Sequence, residues 1–178
     1  MRAVLDANVL YPTILREILT DLAAAGLFAP LWSARILAEW RHAAARLGGD
    51  QDAVAGAEIA LLRERFPGAE VADGAAVAAL HLPDPADLHV VETALAGGAE
   101  LIVTANLRDF PRSAMAGLGL RAIHPDAFLL DLHAAAPAAV AAAAEAARAK
   151  AERLGGPMSL PEMLKRSRLP RLSRKLRG

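Results

Sequence analysis

Two short apolar runs limit what this chain can fold into. Arg2-Ala-Val-Leu ends abruptly at Asp6, and Glu100-Leu-Ile-Val-Thr104 gives way at once to the polar run Ala105-Asn-Leu-Arg-Asp109. Each has the length of a buried strand. The stretches between them space their apolar residues as helices do, and Leu120-Arg-Ala-Ile123 supplies a further short strand. Strands alternating with helices predict an α/β fold whose parallel sheet is covered on both faces, with ligands bound beyond the carboxyl ends of the strands. Those ends carry Asp6 and the Asn106/Asp109 pair.

The helices have recognisable starts and stops. Pro12 opens one whose face is Ile14, Leu15, Ile18, Leu19 and Leu22, and Gly26 stops it. Ser33 is a candidate N-cap for a second, which runs through Ile36, Leu37 and Trp40 to Gly48-Gly49; a third covers 52–66. The spacing therefore predicts a long crossover of two or three helices between the first strand and the next, with 69–72 as a short strand candidate. Asp84-Pro85-Ala86-Asp87 starts a helix that ends at Gly97-Gly98. Beyond His124-Pro125 the pattern is purely helical, over 126–134, 137–154 and 160–166, and the alanine-rich middle segment has high helix propensity.

Composition removes several function classes. Cysteine is absent from the 178 residues, which excludes disulfides, zinc–thiolate sites, iron–sulfur clusters and a thiol nucleophile, and leaves hard oxygen ligands as the metal option. Apolar residues make up 54% but aromatic ones only 4%, so the core rests on Leu, Ile, Val and Ala. The longest Ala-rich stretch is broken by Pro137 and falls far short of the roughly 20 apolar residues that span a bilayer. With no secretory signal pattern at the N-terminus, the expectation is a cytoplasmic protein that does not enter membranes. Net charge is zero, yet from Pro157 onward seven Lys/Arg face a single Glu162, so the tail is +6 and the preceding body −6.

Four carboxylates stand out: Asp6 at a strand end, Glu39 in the second helix, Asp87 at a helix start and Asp109 after the second strong strand. Carboxylates brought within a few ångströms repel by several kcal/mol, and Mg²⁺ or Mn²⁺ removes that penalty while activating water against a phosphodiester. Plainer readings exist for two of them. Asp84 and Asp87 suit a helix start, as cap and first-turn acid beside Pro85, and Glu39 sits at the margin of an apolar face where a solvated glutamate is common. A carboxylate ending an apolar strand, as Asp6 does, usually binds something. The histidines show no i, i+4 pair, so ordinary helix-surface or loop roles are expected for them.

These residues resemble a known family. Leu5-Asp6-Ala7-Asn8-Val9-Leu10 looks like the opening of PIN-domain nucleases, and Trp32-Ser33 through Ile36 and Glu39 like their second acidic element. Pro83-Asp84-Pro85-Ala86-Asp87-Leu88-His89-Val90 resembles the third, and Ile102-Val103-Thr104-Ala105-Asn106-Leu107-Arg108-Asp109-Phe110-Pro111 the closing element. The helical remainder is similar to one branch of VapC-type toxins. The resemblance implies a three-layer α/β/α PIN-like fold, with a nuclease domain over 1–125 and a helical, basic-tailed extension over 126–178. It further implies a metal-dependent ribonuclease using Mg²⁺ or Mn²⁺ at Asp6, Glu39, Asp87 and Asp109, with RNA as substrate, a cognate antitoxin as partner and a homodimer. Asn8, Thr104 and Asn106 would orient water and carboxylates, Arg16 and Ser33 would meet substrate phosphate, and Asp84 would assist Asp87. One departure stands out: Asn106 occupies a position where many members carry Asp.

Other classes fit less well. A haloacid-dehalogenase-like phosphatase needs a second Asp where Asn8 stands, and a dinucleotide-binding domain needs a Gly-x-Gly-x-x-Gly that follows no strand here. The alternative is a catalytically weak PIN module that binds RNA or a protein.

Overall fold

A computed structural model describes residues 1–72, 74 and 80–177. In chain order its elements begin with β1 (Arg2–Leu5), α1 (Ala7–Leu10), α2 (Thr13–Ala24), β2 (Ala29–Ser33), α3 (Ala34–Ala45), α4 (Gln51–Arg65) and β3 (Glu70–Val71). A 3-10 turn at Pro85–Asp87 leads into α5 (Leu88–Ala96) and β4 (Leu101–Val103), and a second turn at Leu107–Asp109 into α6 (Arg112–Gly117) and β5 (Arg121–Ile123). The described chain closes with α7 (Pro125–Ala135), α8 (Pro137–Gly155), α9 (Leu160–Arg166) and α10 (Pro170–Lys175). Packing groups these into two compact units, Met1–Tyr11 with Ala29–Ile123 and Pro12–Phe28 with His124–Gly178. Residues 12–28 thus pack with the C-terminal helices, a grouping that differs from a chain-order boundary at 125/126.

The first unit holds a five-stranded, all-parallel sheet in the order β3-β2-β1-β4-β5. Successive strands from β1 to β3 step outward in one direction, and β4 and β5 step in the other. Right-handed crossovers therefore put α3 and α4 on one face and α5 and α6 on the opposite one, the expected α/β layering. Val4, Leu5, Trp32, Val90, Val91, Ile102 and Val103 are fully buried between these layers. Between β1 and β4 the direction of strand succession reverses, and at such a switch point the loops leaving the two strands diverge and open a crevice.

Strand β2 corrects the expected helix-only crossover between the first strand and the next. Pro30 argues against a central strand because it has no N–H for the ladder. Here Ala29 donates to Met1 O on the β1 side, while Trp32 donates to Ala69 O on the β3 side. By alternation the donor missing at Pro30 falls on the β3 side, and β3 pairs only with Trp32 and Ser33. No ladder bond is lost.

In the second unit α2 lies along α8. Leu15, Ile18, Leu19 and Leu22 of α2 are buried, as are Val140, Ala143, Ala144 and Ala147 of α8; the small alanines allow the close approach that a low-aromatic chain needs. Lys150 Nζ and Glu17 Oε1 add an ion pair at 2.6 Å across the two helices, and Phe28 meets Phe128 edge to face at 5.0 Å. Asp126, 3% exposed, is the polar fixture of this unit. Its two carboxylate oxygens accept from the backbone N–H groups of Arg171 and Leu172, both at 2.9 Å, and so cap α10 from a distant helix. Asp126→Ala leaves those amides without that partner, and the expected loss is about 1–3 kcal/mol, read from urea unfolding.

Candidate active site

The first unit brings the sequence's carboxylates to one end of its sheet. Asp6 directly follows β1 and is 5% exposed. Thr104, directly after the adjacent β4, donates from Oγ1 to Asp6 Oδ2 at 2.7 Å, and Asn8 Nδ2 donates to the same oxygen at 2.6 Å. Asn8 Oδ1 in turn accepts from the Ala105 backbone N–H at 2.9 Å, and Thr104 Oγ1 accepts from the Asn106 N–H at 3.1 Å. These bonds tie together two strand ends that lie about a hundred residues apart in sequence. Burial raises the Asp6 carboxyl above the usual carboxylate range, opposed by its bonds to Thr104, Asn8 and the Ala7 N–H.

The other carboxylates arrive from three different elements. Glu39 stands on α3, whose N-terminus is capped by Ser33 Oγ accepting from Ile36 N at 3.3 Å. Burial and the charge of Asp6 raise Glu39, while Arg35 opposes the rise. Asp87 ends the 3-10 turn that leads into α5, and Asp84 caps that turn by accepting from Ala86 N at 2.9 Å. The Asp87 carboxyl is pushed up to about 7 by burial and then by the charges of Asp6, Asp109, Asp84 and Glu39. That list of perturbers is the electrostatic signature of convergence. Asp109 ends the turn after β4, where its Oδ2 accepts a short bond from Asn106 Nδ2.

The structure adds detail at four positions. Ser33 is only 1% exposed and its hydroxyl is engaged in the cap, so it positions α3 rather than presenting itself to a phosphate. Arg16 lies on α2 in the second unit and is enclosed, 5% exposed. Asp84 acts as a cap and also as one of the charges acting on Asp87. His89 is the residue that sequence reasoning missed: far from a surface role, it is 5% exposed, with Nε2 2.8 Å from Glu39 Oε1. The available signal was its place two residues after Asp87, on the buried side of the same helix start.

A family model described as PIN domain matches residues 2–108, more than half of the chain. This chain belongs to the PIN-domain family. Over 45 residues it is 49% identical to "Putative ribonuclease VapC50" of Mycobacterium tuberculosis, a stretch that spans 25% of this chain and 27% of that protein. No solved structure matches the chain. Among the described residues no helix is long and apolar enough to cross a membrane.

As a PIN-domain site the cluster is all hard oxygen, the donor chemistry of Mg²⁺ and Mn²⁺. Among the described residues no three His, Cys, Asp or Glu side chains stand close enough to enclose an ion by themselves, so the convergence is one of charge rather than of a finished cage. This has a measurable consequence. A carboxyl whose folded pKa lies above its unfolded value favours the fold at low pH and loses that contribution as pH rises, here between its ordinary 3.8 and about 7 for Asp87. In chelator, the thermal midpoint of the wild type is expected to fall from pH 5 to pH 8 by more than that of Asp87→Asn, with the variant the more stable of the two at pH 8. Equal pH profiles would overturn the assignment.

Proposed function

We propose that this PIN-domain protein is a metal-dependent endoribonuclease that hydrolyses RNA phosphodiester bonds, working as the toxin of a type II toxin–antitoxin pair in the cytoplasm. The observation that carries the reading is the buried Asp6, held by Thr104 and Asn8 at the β1/β4 switch point and facing the carboxylates that raise Asp87. The ribonuclease name of the partly aligned relative points the same way. A cognate antitoxin protein and a second copy of this chain are the partners that such a role calls for.

Asp6, Glu39, Asp87 and Asp109 would hold Mg²⁺ or Mn²⁺. When bound there, the ion supplies an activated water and neutralises charge that builds on the phosphate. The chain's own residues do the positioning. Thr104 and Asn8 fix the Asp6 carboxylate, Asn106 fixes Asp109, and His89 backs Glu39 from the buried side. Asp84 adds negative charge beside Asp87. The raised Asp87 carboxyl would hold its proton to higher pH than an ordinary carboxylate, so its capacity to hold a cation would improve as pH rises.

Asn106 favours a second reading, a catalytically weak PIN module that binds RNA or a protein, because an amide replaces a carboxylate in the cluster. Cleavage of a labelled RNA in Mn²⁺ separates the two. Asp6→Asn is expected to fall to background, and Thr104→Val, which removes the donor to Asp6 together with the acceptor for the Asn106 N–H, to lose about 10–100-fold in activity. If the wild type leaves RNA intact, or Asp6→Asn cuts it equally well, the nuclease reading fails.

A further inference from the structure

The basic tail is folded. In the second unit α9 and α10 bury Met163, Leu164, Leu169 and Leu172 together, and the Asp126 carboxylate fixes the start of α10 to α7. Ser173 Oγ donates to Pro161 O at 3.1 Å and ties α10 back to α9. This seam leaves all seven basic residues of the segment on the outside: Lys165, Arg166, Arg168, Arg171, Arg174, Lys175 and Arg177 are exposed. Among the described residues only Arg166 has an ion-pair partner, Glu162 at 2.6 Å. Burial, helped by the charges of Arg168 and Arg171, holds the His124 imidazole below its ordinary pKa against the pull of Asp126. Six exposed cations without an ion-pair partner among the described residues, carried on a folded segment, make a surface suited to a polyanion.

The chemistry of the surface selects among polyanions. No large apolar side chain is exposed between 160 and 177, so a membrane would find no anchor to accompany the charges. Aromatic residues are absent from the segment, which removes base stacking and leaves contact with the phosphate backbone. Five of the seven cations are arginine, the side chain whose planar fork matches phosphate oxygens in pairs. We infer that the α9–α10 surface is a second RNA contact of this protein, gripping the phosphodiester backbone without regard to sequence. The inference deepens the ribonuclease reading and rests on it for the choice of RNA.

The test is binding of a short labelled single-stranded RNA of mixed sequence to the full chain in chelator, by fluorescence anisotropy over a range of salt. Lys165→Gln, Arg171→Gln, Arg174→Gln and Lys175→Gln are combined in one variant. Its affinity is expected to fall at least about tenfold near 0.1 M salt, and its slope of log affinity against log salt to flatten by about 3, at roughly 0.7 per lost phosphate contact. Should circular dichroism show the fourfold variant unfolded, Arg174→Gln with Lys175→Gln carries the test at half the change in slope. Unchanged affinity and slope overturn the inference, as does displacement of the RNA by polyglutamate at equal charge concentration, or tighter binding to phosphatidylserine vesicles. Cleavage in Mn²⁺ is scored separately: a variant that binds and cuts normally defeats this surface alone, whereas a wild type that never cuts but binds through it defeats the nuclease reading alone.

Discussion

The first unit depends on one buried carboxylate. Asp6 sits where β1 ends, shielded from water, and Thr104 and Asn8 make that position tolerable by donating to the same oxygen. An uncompensated carboxylate at such depth would disfavour the fold strongly. The bonds also lock the two central strands together at their carboxyl ends, the place where a parallel sheet reverses direction and opens a crevice. Everything else in the candidate site is arranged around this fixed negative charge. Glu39 reaches it from the middle of α3 and Asp87 from the turn before α5, and each is raised by burial and then by the charge of Asp6.

Mutual repulsion of this kind is stability given up at a functional position. Burial first, and then the charges of the other carboxylates, raise the Asp87 carboxyl, both costs that the surrounding packing has to offset. A capped 3-10 turn, a Ser-capped helix and a buried histidine each restrain one member. In the second unit the same logic runs with the opposite sign. There a buried Asp126 receives backbone amides, and the cations that follow are turned outward around an apolar seam.

Much of the site was legible because its signals are local. Asp6 and Thr104 mark the ends of apolar runs, Asp109 closes the polar run after the second of them, Asp84-Pro85 is a helix start, and Ser33 is a cap three residues before Ile36 N. Strand β2 was not legible, because the residue that argues against it, Pro30, is acceptable only where its missing donor faces an unpaired edge. His89 escaped for a related reason. A single histidine in a helix carries no sign of which face is buried until a partner, here Glu39, is brought against it.

The sequence by itself determined where strands stop, where helices start, which residues are acidic at those points, and that the C-terminal segment is basic. These follow from interactions among near neighbours, whose geometry the backbone sets directly. Only the tertiary structure decided which of the acids face one another, that Asp6 is enclosed, that Asp87 is held near neutrality, and that the basic segment folds with its charges outward. Burial and Coulomb energies depend on distances between residues as far apart as Asp6 and Thr104, and those distances exist only once the sheet has brought its strands together.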